Sequence, residues 1–186
     1  GPGGFVLHAA HLGVSHSFSS EASAFVSLDF GSDAAINNAK YAPAGTPADV
    51  REAYGKWTPG DFTFVAGKFV TLNGIEVVDS PLDPTITRGF LYTLAEPVTH
   101  TGAKAQYTIA GGLAHVGVGL VNGWDLLYDN NNQKTFLFNA DIVPSDTFHA
   151  QVSGSYGAEE PNDDKDKRLT VDLTGAFVLD SLTLNF

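Results

Sequence analysis

The sequence predicts an all-β protein: an antiparallel, up-and-down transmembrane β-barrel, with about ten strands visible here as part of a larger barrel. Three observations predict it. Apolar residues recur at every second position along most of the chain, which is the period of a strand. The links between these runs alternate strictly, short then long. The positions opposite the apolar ones carry charged and amide side chains, which a dry core holds only when each has a partner.

The chain is organised around Leu113–Ile142. In Leu113–Val121, Ala114, Val116, Val118 and Leu120 point one way and His115, Gly117 and Gly119 the other. In Lys134–Ile142, Phe136, Phe138, Ala140 and Ile142 oppose Thr135, Asn139 and Asp141, with Leu137 the apolar exception. Each run has roughly the nine to eleven residues that a tilted strand needs to cross a hydrocarbon core.

Taken in order, Phe5–Phe18 is an untidy strand with apolar residues and His on both faces, and Ser19–Glu21 turns it. Ala22–Phe30 alternates cleanly except at Phe25, and a long loop, Gly31–Asp49, follows. Val50–Thr58 and Asp61–Thr71 are strands joined at Pro59-Gly60, a pair with strong turn chemistry. Leu72–His100 has several Pro and Gly and no sustained period. A loop of that length in a compact domain is functional or disordered, and its apolar content argues for packing. Thr101–Ile109 is a strand, turned at Ala110–Gly112 into the central pair, whose own link is Asn122–Gln133. After a turn at Val143–Asp146 comes Thr147–Tyr156, the cleanest alternation in the chain. A charged loop, Gly157–Lys167, leads to the strand Arg168–Val178, and Leu182–Phe186 begins another beyond a tight turn.

Short turns on one rim and long loops on the other mark outer-membrane barrels. Sandwiches need Greek-key crossings instead, and lipocalin-type barrels have no reason to keep every long loop on one rim. Length suits one domain spanning 1–186. The net charge of −11 offers no basic stripe for nucleic acid. There is no Cys, hence no disulfide framework and no thiol chemistry. No apolar run reaches the length of a spanning helix, so any membrane crossing is made by strands. With short turns periplasmic, both chain ends point to the extracellular side, the reverse of the usual arrangement. The chain is therefore expected to be an interior slice of a longer barrel, with a ten-strand barrel of inverted ends as the competing reading.

Several blocks resemble the bacterial β-barrel porins called OmpL-like. They are REAYGKW (Arg51–Trp57), VAGKF (Val65–Phe69) followed by Gly74-Ile75-Glu76, TRGFLYTLAEPVTHTG (Thr87–Gly102), and VNGWD (Val121–Asp125) followed by Asp129–Asn131. The resemblance runs from about Arg51 to Phe186. It implies an outer-membrane channel of a Gram-negative bacterium, with the lipid bilayer as partner and small hydrophilic solutes as cargo. Homo-oligomerisation is left open.

On this reading Asp29, Lys68, Lys104, Gln106, Asp141, His149, Gln151, Arg168 and Asp172 line the pore. Simple alternation puts Lys68 with Phe62 and Phe64, so it reaches the lumen only through a bulge. Residues 72–100 fold inward as a constriction whose field comes from Glu76, Asp79, Asp83, Arg88 and Glu96, or form an extracellular lid with solvated charges. Net acidity tilts any preference toward cations. Asn122–Asp125 reads as a tight turn with Trp124 anchored at the membrane interface. Asp129–Asn132 lacks the spacing and Gly of a calcium loop, His11 faces away from His8 and His16, and no nucleophile elbow is present. No metal, cofactor or catalysis is expected. The main expectation is passive diffusion through a water-filled lumen. The alternatives are a non-conducting barrel acting as scaffold or sheath for a partner protein, and a soluble β-protein binding an apolar ligand.

Overall fold

Residues 4–37 and 46–186 are described by a computed structural model. The middle of the expected loop Gly31–Asp49, residues 38–45, lies outside the described residues. Ten strands follow one another as neighbours in a single antiparallel sheet. They are β1 (Ala10–Ser17), β2 (Ala22–Phe30), β3 (Ala48–Trp57), β4 (Phe62–Val70), β5 (Thr99–Ile109), β6 (Ala114–Val121), β7 (Thr135–Ser145), β8 (Phe148–Ala158), β9 (Lys167–Leu179) and β10 (Leu182–Asn185). The links 18–21, 58–61, 110–113, 146–147 and 180–181 are short, and 31–47, 71–98, 122–134 and 159–166 are long. The expected alternation of rims is therefore present. In the described residues β1 and β10 do not pair with each other, so the sheet is open.

Its faces are inverted relative to a soluble sheet. On β6, Val116, Val118 and Leu120 are exposed while Gly117 and Gly119 between them are buried. On β9, Leu169, Val171 and Leu173 are each more than 60 % exposed, whereas Arg168, Thr170 and Asp172 are half-buried. Ser27, Asp29, Asn139, Ser153 and Ser155 are buried. The buried apolar cluster is small: Val65, Phe69, Val121 and Leu137, with Tyr54 against it. Leu137, the exception to the pattern of its strand, belongs to this cluster on the polar face.

Aromatic rings collect on the apolar face near the short turns. Trp57 stacks on Phe64, Phe64 on Phe62, and Phe62 meets Tyr107. Further round the sheet Phe148 meets Phe177 and Phe177 meets Phe186. At the opposite rim Phe136 pairs across from Tyr156, both exposed.

Two departures from the expected strands have local causes. The β1 ladder starts at Ala10, not Phe5, because residues 5–9 leave the sheet and offer only the Leu7 and His8 carbonyls to the Ser32 and Asp33 amides. The expected turn Val143–Asp146 is mostly strand: the β7–β8 register slips between Ile142 and Ser145. A slip accommodates Pro144, which has no N–H to give the ladder.

Gly154 lies directly across from Phe138, and a Cβ there would sit 2.5 Å from that ring and 2.2 Å from the Thr170 carbonyl oxygen. Gly154→Val is expected to cost about 1–3 kcal/mol through overpacking. A Cβ at Gly55 meets nothing within 4 Å, so Gly55→Ala should be nearly neutral. Equilibrium unfolding of the two variants checks this; equal losses would contradict it.

Candidate functional site

The link 71–98 does not stand away from the sheet; it crosses the polar face. The Leu72 carbonyl accepts a hydrogen bond from Gln151 of β8 at 2.7 Å. The Gly74 N–H donates to the Asp172 carboxylate of β9 at 2.8 Å. Asp79, five residues on, accepts from the Arg51 guanidinium of β3 and lies 3.3 Å from the His11 ring of β1. Strands β3 and β8 are five spacings apart, roughly 24 Å in a flat sheet. Yet Arg51 and Gln151 line one cavity, of about 490 Å³, between loop and wall. The sheet is thus rolled around the loop.

The loop also holds itself. Both Glu76 carboxylate oxygens accept from the Gly89 N–H, at 2.8 and 3.0 Å, and one accepts from the Thr85 hydroxyl. Arg88 donates to the Val77 and Val78 carbonyls, lies 3.6 Å from Asp83 and stacks 4.9 Å from the Tyr92 ring centroid. A short 3₁₀ turn at Ser80–Leu82 and a π-helical turn at Leu91–Ala95 complete it. At its exit, one Asp125 carboxylate oxygen accepts from the Val98 and Thr99 amides, at 2.7 and 2.9 Å. His100, expected at the loop's end, is instead a buried residue of β5 bonded to the Gly123 carbonyl and the Thr71 hydroxyl.

Of the five loop charges, Glu76, Asp79, Asp83 and Arg88 are engaged in these contacts. Glu96 is different. Its carboxylate presses against Gly74, where an added Cβ would come within 2.0 Å of it. Burial first, and then the negative charges of Asp172, Glu76 and Asp83, push its carboxyl up to about 7.

The wall residues divide in the same way. Asp29 sits 2.7 Å from the His11 ring and 3.5 Å from Arg51. Lys104 lies on the polar face over the Phe69 ring, at 4.5 Å. Gln106 and Asp141 line the cavity, and the Asn139 amide donates to Asp141. Gln151 and Asp172 hold the loop. Arg168 stacks 4.6 Å from Trp124 and reaches Glu160 at 3.6 Å. His149 is exposed, near the short-turn rim. Lys68 stays in register opposite Ala53 and Thr101, but its ammonium is buried, donating to the Val50 carbonyl at 2.6 Å and to Asp49 at 3.2 Å. The bulge lies in β3, where Arg51 is the extra residue between Glu52, opposite Ser27, and Val50, opposite Leu28.

Trp124 is not on the outer surface; it is buried, with its N–H backbone group bonded to Glu159. The exposed indole is Trp57, 51 % accessible. The three histidines near the start have separate neighbours: His8 meets Ser32, His11 meets Asp29, and His16 meets the Phe18 ring edge to face. Sequence reasoning missed Arg51, Asp125 and Glu159. Glu159 lies in the charged loop Gly157–Lys167, yet it is buried and also accepts from the Thr135 hydroxyl at 2.7 Å.

Asp125→Ala leaves two amides at the loop root without their acceptor, expected to cost about 1–3 kcal/mol. Hydrogen exchange should accelerate at Val98 and Thr99 while the β8–β9 amides keep their protection; unchanged exchange at the root would contradict the assignment.

A model of the family described as "Putative beta-barrel porin-2, OmpL-like" matches residues 2–186. No curated protein and no solved structure matches the chain.

Proposed function

Because the chain belongs to the OmpL-like β-barrel porin-2 family, we propose that it forms a water-filled outer-membrane channel for passive diffusion of small hydrophilic solutes or ions. The observation that carries this reading is the inverted sheet: apolar and aromatic side chains outside, charged and amide side chains inside. An exposed face of that composition is stable against hydrocarbon, and the inner face against water.

The outer face has fitting dimensions. On β8, Phe148 near the short turn and Tyr156 near the long loop are eight residues apart. That is roughly 27 Å along a strand, or about 20 Å along the normal at the usual tilt, close to the apolar band of such barrels. Aromatic rings at both rims match the girdles that sit at headgroup level. No described helix is long and apolar enough to cross a membrane, so the crossing is assigned to strands.

The loop 71–98 acts as the constriction. A solute passes the cavity between it and the wall strands, where Gln106, Asn139 and Asp141 offer polar contacts. The reading assigns no chemical step to any residue.

Single-channel recording in a planar bilayer tests the proposal. Discrete steps are expected, and deleting residues 75–95 should raise the unitary conductance. Silence from a well-folded protein would overturn the channel and favour a scaffold or sheath. On the outer face, Val171→Arg should lower stability in lipid by about 2–4 kcal/mol if it lies at mid-depth; no loss would count against a lipid-facing β9.

A further inference from the structure

Resting on the channel reading, we propose that the passage between loop and wall is cation-selective, with Glu52, Asp141 and Glu96 setting the preference. The cavity is lined by carboxylates from three directions: Glu52 of β3, Asp141 of β7, and Glu76, Asp79 and Glu96 of the loop. Among the described residues one basic side chain lines it, Arg51. Its guanidinium is matched by two carboxylates, Asp79 and Asp29, so it presents no net positive charge to a passing ion.

The other described basic side chains near this face have partners of their own, and Lys104 also faces Glu52 and offsets part of its charge. Lys68 is buried with Asp49, Lys104 lies over Phe69, Arg88 binds loop carbonyls, and Arg168 is stacked on Trp124. Glu76 is occupied by the Gly89 amide and Thr85, which leaves its charge in place but its position fixed. Glu52 accepts a long bond from the Val70 amide, at 3.4 Å. The cavity therefore carries an excess of fixed negative charge in a narrow space, where low-dielectric walls strengthen its field. Rings of carboxylates select cations by this field.

Glu96 adds a titration. Among the described residues the charged and titratable groups around the cavity and loop root are Asp172 of β9, Asp141 of β7, Lys104 of β5, Glu52 and Arg51 of β3, His11 of β1 against Asp79, and Glu76, Asp79, Asp83, Arg88 and Tyr92 of the loop. With its carboxyl raised to about 7, Glu96 is neutral at acidic pH and charged above neutrality. Cation preference is therefore expected to rise as pH rises through about 7.

The test is the reversal potential of the purified full-length protein in a planar bilayer under a KCl gradient. The expected result is a few-fold preference for K⁺ over Cl⁻. It should grow from acidic to alkaline pH, and Glu96→Gln should flatten that growth. The triple variant Glu52→Gln, Asp141→Asn, Glu96→Gln should bring the potential toward zero, whereas Asp180→Asn in the β9–β10 turn should leave it unchanged. Conductance with a reversal potential at zero or on the chloride side overturns the selectivity and leaves the channel standing. Absence of conductance overturns both.

Discussion

Everything in this molecule follows from the two-residue period of its strands, because that period forces one face of the sheet to be apolar and the other polar. In water such a sheet buries the apolar face. Here the polar face is the covered one. The consequence is a demand on the environment: the outer face needs apolar contact, and the inner face needs partners or water for each charge. The loop 71–98 supplies part of the second demand. Gln151 and Asp172 are satisfied by its backbone, and Arg51 by its Asp79.

The strand framework was legible because alternation is a local signal. Ala22–Phe30 was read to the residue, and other strands to within a few positions. The rims were legible too, since Pro59-Gly60 and the runs of Gly and Asn mark links without any tertiary knowledge. What failed was whatever depended on a bulge or on loop packing. Arg51 is one of a run of residues that simple alternation assigns to faces, and nothing in REAYGKW says that it is the extra residue. The Lys68 ammonium is bonded to Val50 and Asp49, the residues next to this bulge. Alternation correctly placed the Lys68 backbone with Phe62 and Phe64, and had no access to where a long flexible side chain would go.

The candidate site was half legible for a related reason. Polar residues on strands could be assigned to the inner face by parity, and Lys104, Gln106, Asp141, Gln151 and Asp172 are there. The partners of two of them could not be assigned, because they lie far away in sequence: Asp172 is bonded to Gly74, and Gln151 to Leu72. Trp124 shows the same limit. Indoles favour interfaces in general, but this one has a guanidinium to stack on and a buried glutamate for its amide, and both come from beyond β8. Trp57, next to a short turn with Phe62 and Phe64 across the hairpin, takes the exposed position.

The anchoring of the loop favours the proposed fixed constriction over a lid. Lifting it off the wall breaks at least three contacts at once, to Gln151, Asp172 and Arg51, on strands at both sides of the rolled sheet. Two of these involve a charged partner, for which a net value of about 1.5–3 kcal/mol is usual when sheltered. Discounted to about 1 kcal/mol each for access of water, the three still sum to roughly 3 kcal/mol. Because the three contacts must break together, the anchored arrangement is favoured over the lifted one. The root contacts at Asp125 and His100 oppose lifting further. On the proposed channel reading, a solute would meet the loop in place, and its passage would depend on the gap between loop and wall and on the charges that face it. Glu96 is the weak point of this arrangement: it sits against Gly74 and among Asp172, Glu76 and Asp83, so its ionisation pushes on the same root that the Gly74–Asp172 bond holds down.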